Sequence, residues 1–290
     1  MQKIIYADMH CDSVSVCCRR GENFIGFNGQ TNVEKLVKSG CALQCFALFT
    51  EGEKADEDFN KYSSFYNAQI AARPDVVCVR SSSDIDRALK EGKLAALLTV
   101  ENMGFLKGDL GGIDKLKDMG VGMASLVWNN ANEWAYPNLI WKGNVPDFAA
   151  SEGRGLTPEG MQAIERLQAN GIIIDVSHLS DGGVMDILKL AYKPIVASHS
   201  NCRAVCGVSR NLTDEQLKGI ADGGGVAGLN YCRDFIDGES AFEGLYAHFT
   251  HILNTGGEDL PALGSDFDGI PVNPDIPDCT HVPALLNYLI

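Results

Sequence analysis

The sequence predicts an α/β fold, a (β/α)8 barrel, from three observations. Eight short apolar runs recur along the 290 residues. Each run is apolar almost throughout rather than at alternate positions, as parallel strands buried on both faces are. Polar and amphipathic stretches of helical length separate the runs, so strand and helix alternate. A doubly wound open sheet is the alternative, but it carries a glycine-rich phosphate turn after an early strand, and no GxGxxG occurs. With no internal repeat or low-complexity segment, residues 1–290 read as one domain, long enough for a substantial core.

In chain order the strand-type runs are KIIYADMH, CALQCFALF, LAALLTVEN, VGMASLVWN, GIIIDVSH, KPIVASHS, GVAGLNYC and LPALGSDFDG. Between them, DEDFNKYSSFYNAQIAARP and SSDIDRALKEGK have helical character. TPEGMQAIERLQANG opens with Thr157 as N-cap and Pro158 at the first helical position, and stops at Gly171. TDEQLKGIADGGG opens at Thr213 in the same manner. The longest irregular segment, NEWAYPNLIWKGNVPDFAASEGRG, falls between the fourth run and its helix. Segments of that length in a compact domain are usually functional. In a barrel this one lies at the mouth, as a wall or lid.

Lys and Arg number 24 against 38 for Asp and Glu, a net charge of −14. So acidic a surface repels nucleic acid and anionic membranes, and neither is expected as a partner. No apolar run reaches membrane-spanning length. The N-terminus shows no basic segment followed by an apolar core and a small-residue cleavage site. A cytoplasmic protein is the expectation. The cysteines form no Cys-x-x-Cys pair, and several sit in apolar runs such as ALQCFALF. They read as buried, reduced thiols acting as small hydrophobes.

The chemistry gathers at the ends of the runs. The first carries His10 and Asp12, two residues apart and so on one side of a strand. The third ends in Glu101, the fifth in His178, the sixth in His199, and the eighth in Asp266 and Asp268. The carboxyl ends of barrel strands share one face, so these side chains converge. A lone histidine there is more often hydrogen-bonded or solvated, and a lone acid is more often a helix N-cap. Three of six histidines placed this way, in company with acids, point instead to metal. Imidazoles and carboxylates suit borderline divalent ions, zinc first, with other divalent transition metals as alternatives. Five donors over-supply one tetrahedral ion. They suit two ions about 3.5–4 Å apart, with Glu101 as the bridge because a carboxylate has two oxygens.

Other residues are less specific. His248 and His251 read as packing or helix-surface residues, and His281 as exposed. Arg210, just before a helix, is equally a surface arginine or a clamp for a substrate carboxylate. Asp266 is a ligand, a base or a cap, and spacing does not decide. Asp268 reads as shaping a turn with Gly269.

Taken together and in order, DMHCDS, TVEN, IIIDVSHLSD, ASHSNCRAV, SRNLTDE and GSDFDG resemble the membrane dipeptidase (renal dipeptidase) family of zinc metallopeptidases, within the amidohydrolase-like barrels. The resemblance spans nearly the whole chain and implies a barrel of the metal-dependent hydrolase type with two zinc ions. His10 and Asp12 look like the ligands of one zinc, and His178 and His199 like those of the second. Glu101 is similar to the carboxylate that bridges both. Arg210 looks like the residue that holds the substrate's C-terminal carboxylate, and Asp266 like the acid that handles the catalytic proton. L,L- and L,D-dipeptides are implied as substrates and a homodimer as the assembly. There are two departures. Trp128 stands where better-known members carry a histidine near the scissile carbonyl. Asn129, which follows it, is expected to supply an amide donor to the substrate instead. The chain also ends in HVPALLNYLI where a further helix is expected, so the eighth helix is expected to be incomplete.

The expected reaction is dipeptide hydrolysis by a hydroxide that bridges two zinc ions, with Asp266 passing its proton to the leaving amine. Two alternatives stand beside it. Another amidohydrolase-type barrel would open a cyclic amide or a lactone. Many of those bridge their metals with a carboxylated lysine, and no lysine replaces Glu101. An inactive barrel serving as a binding protein finds support only in Trp128 and the short C-terminus.

Overall fold

The computed structural model describes residues 4–290; residues 1–3, at the start of the first apolar run and of the expected domain, lie outside it. All eight apolar runs contain a strand: β1 Tyr6–Asp8, β2 Cys41–Phe49, β3 Leu94–Glu101, β4 Val121–Ser125, β5 Ile173–Asp175, β6 Val196–Ala197, β7 Val226–Leu229 and β8 Pro261–Leu263. They pair in sequence order, every pair parallel. Between β8 and β1 the ring closes by single contacts instead of a ladder. Met9 N–H donates to Leu263 O at 2.9 Å and Asp12 N–H to Phe267 O at 2.9 Å. The result is a nearly closed eight-stranded barrel. Met9, Cys45, Leu97, Met123, Val196 and Val226, from six different strands or their ends, pack together inside it.

Among the described residues ten α-helices surround the barrel: α1 Ser13–Arg20, α2 Val33–Ser39, α3 Ala55–Tyr66, α4 Ser82–Glu91, α5 Leu110–Met119, α6 Pro158–Ala169, α7 Asp181–Leu190, α8 Asp214–Asp222, α9 Ala241–Gly256 and α10 Val282–Leu289. Thr157 Oγ1 caps α6 by accepting from Gly160 N–H at 2.9 Å. At α8 Thr213 and Gln216 cap each other reciprocally. An extra short strand, Val76–Cys78, pairs with the start of β3. The long segment after β4 folds into a hairpin, Ile140–Lys142 with Val145–Asp147, and buries Trp134. The segment after β8, expected to fall short of a full helix, forms α10. Its Val282, Leu285 and Leu289 are buried, and Tyr288 meets Phe242 of α9 edge-on at 5.6 Å.

The strands are shorter than the apolar runs, and this changes one local reading. β1 stops at Asp8, so His10 and Asp12 do not lie on it. They stand on the passage from β1 into α1, where the parallel bridge Cys11↔Phe267 holds the chain and Asp12 takes the N-cap position of the helix. They still face each other, but barrel closure aligns them, not strand alternation alone.

Candidate metal centre

Every donor predicted from the sequence arrives at the carboxyl ends of the strands. His10 Nε2 lies 3.2 Å from Asp12 Oδ2, 3.7 Å from Glu101 Oε2 and 3.9 Å from Asp266 Oδ1. Glu101 Oε1 lies 2.9 Å from His178 Nε2 and 3.6 Å from His199 Nε2. Glu101 therefore turns one oxygen to each of two donor sets. All six side chains are buried. His178 and Asp266 sit at φ +69° and +64°, a strained backbone for residues with a Cβ. Each is where the chain turns sharply after its strand. Gly269 must be glycine: a Cβ there would meet Asp12 Oδ2 at 2.2 Å and Asp266 Oδ1 at 2.4 Å.

Neighbouring groups fix the imidazoles. His178 Nδ1 donates to Asn129 Oδ1 at 2.9 Å. Ser198 Oγ donates to Asp175 Oδ2 at 2.5 Å and so accepts from His199 Nδ1 at 2.6 Å. Asp175 is itself held by the backbone N–H groups of Ser177 and Ser198. With both Nδ1 atoms protonated, the two Nε2 lone pairs face each other 3.0 Å apart. That arrangement calls for a cation between them and the carboxylate. In the other half, Asp12 Oδ1 is buried without a hydrogen-bond partner among the described residues. Nitrogen and carboxylate donors of this kind, with the His178 and His199 imidazoles oriented through their far nitrogens, fit divalent transition ions. Two groupings bring three donor atoms within 4.8 Å of one another: His10, Glu101 and His199, and His10, Asp12 and Asp266.

The electrostatics show the same need. Burial opposes charge on His10, but Glu101 and Asp12 outweigh it and hold the imidazole pKa at about 10. Burial, then the Asp12 charge, pushes Glu101 well above the usual carboxylate range. Burial likewise raises Asp266. His178 is held neutral by burial and by Arg210, and His199 by burial and by His10.

A cavity of about 260 Å³ opens onto these groups. Phe49, Trp128, Phe148 and Phe235 supply apolar wall, and Phe148 comes from the long segment after β4. That segment is therefore a wall of the site, as its length suggested. Arg210 is buried, with Nη1 donating to Ser200 Oγ at 2.8 Å and Nη2 to His178 Nε2 at 2.9 Å. Asn129 lines the cavity, and its side-chain oxygen accepts from His178 Nδ1, a task that stands beside the amide donor to substrate expected of it. Asp268, at φ +67°, accepts from Gln30 N–H at 2.7 Å, Thr31 N–H at 3.3 Å and Ser13 Oγ–H, and so ties the segment after β8 to the one after α1. His248 packs in α9, His251 pairs with Asp214, and His281 is exposed.

Sequence reading missed Asp175, Ser198 and Asn230. Asn230 Nδ2 donates to Asp266 Oδ2 at 2.9 Å. The available signal was a polar residue inside an apolar run: Asp175 in IIIDVSH and Ser198 in IVASH.

A family model described as membrane dipeptidase (peptidase family M19) matches residues 1–290. An uncharacterized protein from the pqqA 5′ region of Klebsiella pneumoniae is 34% identical over 215 residues, 72% of this chain and 78% of that protein. The crystal structure of a dipeptidase, a metallopeptidase of family M19, superposes with TM-score 0.89 at 25% identity, covering 99% of this chain and 91% of that one. A Rhodobacter sphaeroides metallopeptidase crystallised with a phosphinate mimic of L-Ala-D-Ala superposes with TM-score 0.88 at 23% identity, covering 99% and 92%.

Proposed function

The chain belongs to the membrane dipeptidase family of metallopeptidases, and from that premise we propose that it hydrolyses L,L- and L,D-dipeptides at a centre holding two zinc ions. The observation that carries this reading is Glu101, whose two oxygens face His10 on one side and His178 with His199 on the other. His10 and Asp12 would hold one ion, His178 and His199 the second, and Glu101 both. When bound, such ions polarise the scissile carbonyl and lower the pKa of a water to about 7.

The remaining work belongs to the chain. Arg210 faces the cavity from a buried seat and clamps the substrate's C-terminal carboxylate. Such a clamp limits the substrate to short peptides and sets the scissile bond at a fixed distance from the donors. Asp266, raised by burial and oriented by Asn230, accepts a proton and returns it to the leaving amine. The aromatic walls exclude water from the reacting carbonyl. The L,D arm of the proposal draws on the Rhodobacter relative and its L-Ala-D-Ala mimic.

The test is a purified chain reconstituted with zinc, a panel of L,L- and L,D-dipeptides with free and amidated C-termini, and a count of metal per chain. Turnover of the free acids, loss of rate with the amides and about two ions per chain are expected. Fewer than one ion per chain, or no turnover with both ions bound, overturns the reading.

A further inference from the structure

We propose that Arg19 is a specificity-determining residue that reads a carboxylate on a substrate side chain; this rests on the dipeptidase reading and narrows its substrate class. The charges lining the cavity carry the inference. Its two guanidinium groups are Arg210 and Arg19. Arg210 is buried, anchored to Ser200 and His178, and matched to the one carboxylate that every dipeptide has. Arg19 is different. It is exposed in the last turn of α1, at the cavity mouth. Among the described residues no carboxylate lies within ion-pair distance of it. Its guanidinium stands over the buried ring of Tyr62, with Cζ 5.9 Å from the centroid, a contact that steadies the group and neutralises nothing.

The carboxylates of the cavity do not answer it. Asp12, Glu101 and Asp266 belong to the donor group, and Asp268 is engaged by Gln30, Thr31 and Ser13. Asp234, exposed and without an ion pair among the described residues, is the other open charge at the mouth. It suits the substrate's ammonium. A dipeptide with neutral side chains leaves Arg19 facing the cavity unmatched, whereas one bearing Glu or Asp supplies the missing anion. In a chain of net charge −14, an unpaired cation at the mouth is also where an acidic ligand is drawn in.

The experiment compares isosteres on the zinc-loaded chain: Ala-Glu against Ala-Gln, Glu-Ala against Gln-Ala, each with L and D C-terminal residues. The arms separate a C-terminal from an N-terminal side chain as the group read. The expected result is a kcat/KM preference of about tenfold for the acid over its amide at one position, expressed in KM and shrinking with added salt. Arg19→Met, which keeps the apolar stem, brings the acid-to-amide ratio to about one, and Arg19→Lys retains part of it. A wild-type ratio near one at both positions, or a ratio that persists in Arg19→Met, overturns the proposal. Cleavage of none of the eight peptides strikes the dipeptidase reading itself, a result distinct from cleavage without preference.

Discussion

The two halves of the donor set call for a cation for different reasons. Around His10 the shortage is of positive charge: Asp12, Glu101 and Asp266 crowd one imidazole, and the crowding lifts its pKa to about 10. Around His178 and His199 the shortage is of hydrogen-bond donors: two neutral rings turn their lone pairs to one point, and Arg210 Nη2 serves that of His178. The first half is held by closure of the barrel, through Cys11↔Phe267 and Asp12 N–H to Phe267 O. The second is held by side chains, through Asn129, Ser198 and Asp175. Glu101 reaches both, one oxygen to each, and His10 also groups with His199 across the divide. One buried cluster thus reaches its geometry by two separate routes, and each route can be cut alone.

Cutting the common residue should have the largest effect. Glu101→Gln keeps the shape and removes the charge that both halves share. Activity is expected to fall on the order of a thousandfold, with metal content reduced in both halves, read by steady-state kinetics and elemental analysis. If the variant keeps two ions and a rate within tenfold of wild type, the two halves do not depend on Glu101 and the comparison breaks.

A histidine outside both halves serves as the control. His248 is fully buried in α9, its Nδ1 accepting from Cys202 N–H at 3.1 Å, and burial lowers its pKa to about 4. The unfolded chain has it near 6.5. Between those values the unfolded state binds more protons than the native state, so stability falls as pH drops from 6.5 to 4 and this contribution is flat below. The loss amounts to at most about 3 kcal/mol. His248→Gln should flatten that part of the pH profile in denaturant titrations without altering metal content. A profile unchanged from wild type would show that His248 is not held neutral by burial.

The support of the second half can be removed without touching a donor. Ser198→Ala leaves His199 Nδ1 without its acceptor and Asp175 Oδ2 without the hydroxyl donor, while Asp175 Oδ1 keeps its two backbone N–H groups. Metal affinity of one of two sites is expected to weaken about 10–100-fold, with Ser198→Thr restoring most of it. Calorimetric titration that shows both sites weakened equally would mean that the halves are coupled more tightly than their separate supports suggest. Asn129→Leu should act similarly through His178, at the lower end of that range, since Arg210 still faces the ring.

Much of this molecule was legible before its coordinates. The eight apolar runs each hold a strand because burial on both faces of a parallel sheet requires near-continuous apolar sequence. The caps at Thr157 and Thr213 formed as read, since a cap depends on three or four consecutive residues. The donors were visible because imidazoles and carboxylates at the ends of apolar runs are conspicuous by type. The supports were not. Ser198, Asp175 and Asn230 are ordinary polar residues whose significance lies in a partner: Asn230 serves Asp266, 36 residues away, and Asp175 serves Ser198, 23 residues away. Asn129 was legible as a candidate donor to substrate, but its bond to His178, 49 residues further along the chain, was not.

By itself, then, the sequence determined the alternation of strands and helices, and which side chains are fit to bind an ion. Both follow from local chemistry: period, propensity and donor type. Tertiary structure alone decided that β1 would end before His10, that Glu101 would divide its oxygens between two groups, and that Arg19 would stand at the mouth with no carboxylate partner among the described residues. Those outcomes depend on how far the barrel closes and where each loop turns, and such distances are set by packing of the whole ring, which no short stretch of residues encodes.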